Sequence, residues 1–211
     1  MKIAALFVLL LSTFVRNSSW QDDLSLWAEV VRMNPGNARA HYGLGDACRQ
    51  SGRLDDAVNA YTAALQLRPD YVEVRADLGA VYERMGRSLE ALNEFQTALS
   101  LNPDYAMAHL DLGVLYEHQG KLDEAAEEFR LAIIADSQIP EAHYNLGIVL
   151  HQKKKYVVAI AHYRDAVALR PEYAEAYRKL GLAYQSVGMA AAARESFNAA
   201  ARIESATIAG R

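Results

Sequence analysis

The 211-residue chain carries 22 Lys and Arg against 26 Asp and Glu, a net charge of -4, with 52% hydrophobic and 23% charged residues and 5 prolines. This is the composition of a globular chain and excludes extended disorder, and the mildly acidic balance without a basic stripe speaks against nucleic acid as a partner. The single cysteine, Cys48, rules out an internal disulfide, and no Cys/His spacing matches a zinc site.

The chain opens on Met1-Lys2 and an apolar run, residues 3–15, relieved only by Ser12 and Thr13. That length suits a signal-peptide core and is short for a spanning helix, which wants ~20 residues. Val15-Arg16-Asn17 and Asn17-Ser18-Ser19 are poor small-x-small cleavage sites, and no cysteine directly follows them for a lipid anchor. Three readings of residues 1–19 stay open: a retained membrane anchor, a cleaved export signal, and a helix buried against the next part of the chain. The first two place the rest of the chain outside the cytoplasm, because Lys2 and the free amine favour a cytoplasmic start. Asn17-Ser18-Ser19 also has the form of a glycosylation sequon, which so close to an apolar run reads as a turn. In 20–37, Ser19 can cap a helix with Asp22 three residues on, Trp27 lies midway, and Pro35 ends it. Residues 20–34 are therefore predicted to be one lone helix, the second half of an incomplete repeat.

From Ala38 the sequence repeats itself at ~34 residues, giving units 38–71, 72–105, 106–139, 140–173 and 174–207 and a tail at 208–211. Column 7 of these units reads Leu44, Leu78, Leu112, Leu146 and Leu180, and column 8 reads Gly45, Gly79, Gly113, Gly147 and Gly181. Together with columns 4 and 11 they recur at three- and four-residue spacing, one apolar face of a first helix. A mid-helix glycine costs ~1 kcal/mol against alanine, so five of them imply that a neighbour approaches closely. Column 24 holds Tyr61, Phe95, Phe129, Tyr163 and Phe197, flanked by alanine at columns 20 and 27, which makes the matching face of a second helix. Column 15 is Gly52, Gly86, Gly120 and Gly188, suited to a left-handed helix end, with Lys154 in the remaining unit. Pro69, Pro103 and Pro171 at column 32 stop the second helix, and the acidic residue after each can sit at the start of the next.

This pattern over residues 38–207 resembles the tetratricopeptide repeat family. The resemblance implies an all-α fold, a right-handed superhelical solenoid whose first helices line a concave side. It also implies binding of a protein or peptide rather than catalysis, with no cofactor. The junction is similar to a narrower group: Arg16-Asn17, Trp20, Asp23, Leu26-Trp27, Pro35, Asn37-Ala38 and His41-Tyr42 resemble the join in transmembrane, tetratricopeptide-containing O-mannosyltransferase-like proteins. This sequence does not contain their multi-span catalytic part, so the resemblance implies an orientation, repeats away from the cytoplasm, and not a transferase activity. It also implies an alternative function, an accessory or truncated part of a membrane glycosyltransferase system that selects the acceptor.

Candidate chemistry is sparse. His41, His109 and His143 all fall in column 4, where a metal ladder is conceivable. Neighbouring helices lie ~10 Å apart and zinc ligands ~2 Å from the ion, so these rings are read as core and no metal is expected. No nucleophile elbow, phosphate-binding loop or HExxH is present. Lys153-Lys154-Lys155 lies in a turn and reads as solvated, with Lys154 under strain if it adopts φ > 0, and Ala190–Ala193 reads as structural helix.

Binding is expected on the stripe of columns 2, 5, 9 and 12, about 130° round the first helix from its core face. Column 9 reads Asp46, Ala80, Val114, Ile148 and Leu182, an aliphatic ridge from the second unit on. Tyr42, Met107, Leu110 and Tyr144 add to it, and Asp77, Glu83, Asp111, Glu117, Asn145 and His151 give it an acidic middle. Such a surface suits a basic-aliphatic segment. A clamp for a chaperone carboxyl terminus needs Lys and Asn where Tyr42 and Asp46 stand, and an asparagine ladder finds only Asn145, so neither specialisation is expected. The fifth unit, with no capping helix after it, is expected to expose apolar surface and to favour self-association.

Overall fold

The computed structural model describes residues 23–209, and helices alternate with short turns throughout. The chain divides into two compact units at Asn102 and Pro103. The first unit holds α1 (23–33), α2 (Ala38–Gln50), α3 (Leu54–Leu67), α4 (Val72–Arg84) and α5 (Ser88–Leu101). The second holds α6 (Ala106–His118), α7 (Leu122–Ala135), α8 (Pro140–Gln152), α9 (Tyr156–Leu169), α10 (Ala174–Ser186) and α11 (Ala190–Ala209). There is no strand among the described residues, so the fold is all-helical. The apolar segment 3–15 and the Ser19 and Asp22 capping pair lie outside the described residues. Among those described, no helix is long and apolar enough to cross a membrane.

A glycine set against an aromatic ring closes every helix pair. An ideal Cβ built on Gly45 would lie 2.4 Å from the Tyr61 ring, and one built on Gly79, Gly113, Gly147 or Gly181 would lie 2.6 Å from Phe95, Phe129, Tyr163 or Phe197. Those distances are shorter than any carbon–carbon contact, so the first helix must lack a Cβ where the second presents its ring. Burying such a ring stabilises by ~1.5–3 kcal/mol, which outweighs the ~1 kcal/mol that the glycine costs its helix. Fully buried alanines on either side, such as Ala125 and Ala132 around Phe129, leave the ring room to insert. The same device joins α1 to α2, where a Cβ on Gly43 would lie 2.5 Å from Trp27.

The turn within each pair is equally regular. Gly52, Gly86, Gly120 and Gly188 have φ of 79°, 75°, 73° and 78°. The next residue's amide donates back to the carbonyl five positions earlier, as in Arg53 to Cys48, Arg87 to Tyr82 and Lys121 to Tyr116. These are Schellman helix ends, which satisfy carbonyls the helix leaves over. In the fourth repeat Lys154 takes the position with φ of 57°, and the Lys155 amide still reaches Leu150. A side chain in the left-handed region costs ~1–2 kcal/mol, so this turn carries the strain expected of it. Lys153 beside it is ion-paired with Asp123.

Between pairs, α3, α5 and α9 stop at Leu67, Leu101 and Leu169, two residues before Pro69, Pro103 and Pro171. The acidic residues after these prolines correct the sequence-based expectation: Asp70, Asp104 and Glu172 lie in the turn itself and are not at the head of the next helix. The residues at those helix starts are Tyr71, Tyr105 and Tyr173, which supply no side-chain cap, whereas Asn37 caps α2 through Arg39 and Ala40. The third repeat, lacking the proline, turns instead on Asp136, whose carboxylate accepts from the Gln138 amide. Ser205 brings neither proline nor such a turn, and α11 runs 20 residues where α9 has 14. Residues 208 and 209, read as tail, are therefore helical.

The ring contact makes a sign test. Glycine to alanine normally strengthens a helix, but Gly113→Ala should destabilise the chain by about 1–3 kcal/mol, because Phe129 is wholly buried and cannot withdraw. Urea denaturation followed by circular dichroism measures it, and a gain in stability would contradict the packing argument.

Candidate functional site

The first helices carry the expected binding stripe, and it falls into two stretches, one in each unit. In the first unit much of it is used internally. The Tyr42 hydroxyl donates to Asp77 Oδ2 at 2.8 Å, and the Tyr42 ring packs against Tyr61 and Tyr71. The Tyr61 hydroxyl donates to Asp46 Oδ1 at 2.7 Å and accepts from Arg49 Nε at 3.1 Å, while Arg49 also bonds Asp46. Burial raises the Asp77 carboxyl above its ordinary range, with the Tyr42 hydrogen bond acting against it and Asp46 adding to it. Burial, and then the bond to Asp46, pushes the Tyr61 phenol well up. Asp46 and Asp77 are thus structural partners of tyrosines, and Ala80 and Glu83 are half-buried beside them on α4.

This network explains column 9. Its one carboxylate, Asp46, occurs where the ring of column 24 carries a hydroxyl, and it stands there to receive it. Where the ring is Phe95, Phe129 or Phe197, column 9 is Ala80, Val114 or Leu182. The fourth repeat breaks the rule: Tyr163 is fully buried, Ile148 stands at column 9, and the Tyr163 hydroxyl has no hydrogen-bond partner among the described residues. Sequence carried the signal, tyrosine at one column with aspartate at the other, but it reads as a coincidence until the two columns are seen in contact.

In the second unit the stripe is more open. Val114 and Ile148 are half-buried against the core formed by α6 to α10, as is Tyr144, while Met107 and Leu182 are 43% and 44% exposed. Leu110 departs from expectation: at 6% exposure it belongs to the core with Ala126 and Leu146. Glu117 on α6 accepts from Gln152 on α8. Asp111 and Asn145 are half-buried, and His151 stands edge-on to Tyr156. Burial lowers the His151 pKa, and Lys179 adds to the shift.

The column-4 side chains serve a purpose that sequence reasoning missed. Nε2 of His41, His109 and His143 each bonds the backbone carbonyl six residues earlier, of Pro35, Pro103 and Ser137. Arg75 does the same to Pro69. A polar tip thereby satisfies a carbonyl in the turn between repeats, which is why this nearly buried position is not aliphatic. The other nitrogen of the side chain turns to the second helix: Arg75 donates to Glu94 at 3.0 Å, and His109 Nδ1 lies 2.7 Å from Glu128 Oε2. Paired substitution at these two columns was the available signal.

The contrast between the two tyrosines is measurable. Tyr61→Phe should destabilise by about 1.5–3 kcal/mol, since it removes a hydrogen bond to a charged partner. Tyr163→Phe should leave stability unchanged or raise it by about 1 kcal/mol, since it removes a buried hydroxyl that bonds nothing. Equal losses for both in thermal denaturation would contradict the assignment.

Similarity to known proteins runs along the same repeats. Three family models match: a tetratricopeptide repeat model over 76–140, a TPR repeat model over 45–86 and 149–188, and a further tetratricopeptide repeat model over 174–207. None of them reaches the junction before residue 45. No curated protein matches the chain. Among solved structures the chain is similar to MamA at 27% identity and a TM-score of 0.69, over 78% of this chain and 96% of that one. It is similar to YrrB, described as a TPR protein with an unusual peptide-binding site, at 19% identity and a TM-score of 0.63, over 84% and 91%. A chain of the APC/C hetero-tetramer Cut9-Hcn1 aligns at 20% identity and a TM-score of 0.75, over 87% of this chain and 37% of that one. The last two likenesses show the fold alone. With matches over residues 45–140 and 149–207, the chain belongs to the tetratricopeptide repeat proteins.

Proposed function

We propose that the chain is a protein-interaction scaffold, and that the ridge on α6, α8 and α10 of the second unit binds a peptide or protein segment. The observation that carries this reading is the aliphatic row of Val114, Ile148 and Leu182, with Met107 beside it, left half-open at successive first helices. The hidden face of each helix is already filled by leucine, glycine and ring, and the row packs on the edge of that core with part of its surface still exposed. Polar and acidic groups, Asp111, Glu117 and Asn145, border it. A segment with Lys or Arg beside aliphatic side chains meets both requirements, lying extended or as a helix along the row. The peptide-binding site described for YrrB supports such a use of this fold. The alternative reading, acceptor selection for a membrane glycosyltransferase, draws on a junction whose first part, Arg16-Asn17 and Trp20, lies outside the described residues, and no geometry favours it.

Display selection of random peptides on the full chain tests the proposal. Selected peptides should combine basic and aliphatic residues. Their binding should weaken at least tenfold in Val114→Asp, an apolar contact worth about 1–3 kcal/mol, with the helical circular dichroism retained. Peptides that bind Val114→Asp and Ile148→Asp as well as the parent chain would place the binding surface elsewhere.

A further inference from the structure

The fourth repeat departs from its neighbours where the column-4 side chain meets the second helix. Arg75 faces Glu94 in the second repeat and His109 faces Glu128 in the third. In the fourth, His143 faces His162, and the two Nδ1 atoms stand 3.4 Å apart. Asp165, three residues along α9 and so on the same helix face, brings Oδ2 within 3.6 Å of His143 Nδ1. One ligand atom from each of the three side chains lies within 4.8 Å of the others.

Two imidazoles therefore stand where the second repeat has the ion pair of Arg75 and Glu94. The Ser137 carbonyl can only accept, so Nε2 of His143 donates to it and Nδ1 is the nitrogen turned toward His162 and Asp165. A backbone carbonyl behind the ring is the usual support of a metal-binding histidine. Ligand atoms ~2.0–2.1 Å from a tetrahedral zinc ion are separated by ~3.3 Å, close to the 3.4 and 3.6 Å that separate His143 Nδ1 from His162 and Asp165. Arg130 acts on His162 from α7, and its charge is matched by Glu127.

We propose that His143, His162 and Asp165 bind one divalent transition-metal ion of the zinc class, through the two Nδ1 atoms and one carboxylate oxygen. Two imidazoles and a carboxylate suit zinc, copper or nickel and not magnesium or calcium. His143 is nearly buried while the Asp165 side chain is 55% exposed, so the fourth position opens to solvent on the aspartate side. The ion joins α8 to α9 within one repeat, as the salt bridge of Arg75 and Glu94 joins α4 to α5.

The probe is Co2+ added to the full, untagged, metal-free chain and followed by its visible absorption. One equivalent should give the intense bands of a tetrahedral ion, and one equivalent of Zn2+ should abolish them. His162→Gln and Asp165→Asn should each weaken binding at least ~10-fold. The double variant His143→Arg with His162→Glu rebuilds the pair of the second repeat. It should fold, bind no Co2+, and lose the rise in melting temperature that Zn2+ gives the parent chain. Absence of tetrahedral bands at one equivalent, or Co2+ binding by the double variant equal to that of the parent, would overturn the proposal.

Discussion

Each repeat is built around a glycine that lets an aromatic ring approach the backbone of its partner helix. The contact sets the distance between two helices, and the distance sets what else fits. Alanine must flank the ring, leucine must fill the next position on the first helix, and the left-handed turn must bring the second helix back at the right height. A helix pair of this kind still leaves apolar surface on both sides, so it is stable only beside another pair. The regularity of the chain is thus a consequence of one tight contact used five times and varied once more at Gly43 and Trp27.

What varies between repeats is how polar tips are satisfied inside this frame. A hydroxyl on the inserted ring calls for a carboxylate on the first helix, provided by Asp46 and withheld by Ile148. A side chain at column 4 bridges the turn before the helix to the helix after it, through Arg75, His109 or His143. The two units use the same positions differently: Asp77 holds Tyr42 in the first, whereas the second leaves its aliphatic row half-open.

Most of the fold could be read from the sequence because its cause is local and recurs. Leu112, Gly113, Phe129 and the glycine turns announce themselves by period alone, and α2, α4, α6, α8 and α10 begin where the units do. The site was less legible. Period places Leu110 on the binding stripe, yet a helix also buries its flank against the neighbouring repeat, and no single-helix pattern shows that. The pairing of columns 4 and 23, and of 9 and 24, joins residues 19 and 15 apart whose meeting depends on the crossing of two helices. His162 and Asp165 escaped notice for this reason: neither is unusual on its own helix, and only the crossing brings them to His143. The extended end of α11 was hidden because the stop signal of the other units is a proline that Ser205 does not supply.

The glycine–ring contact is what the fold rests on, and nuclear Overhauser spectroscopy of the labelled chain observes it directly. Cross-peaks should join the α protons of Gly45, Gly79, Gly113, Gly147 and Gly181 to the ring protons of Tyr61, Phe95, Phe129, Tyr163 and Phe197. The turn glycines Gly52, Gly86, Gly120 and Gly188, which have nothing within 4 Å of the Cβ position, should show no such peaks. Strong cross-peaks for the first set and none for the second is the predicted result. Their absence from the helical glycines in a folded chain would contradict it.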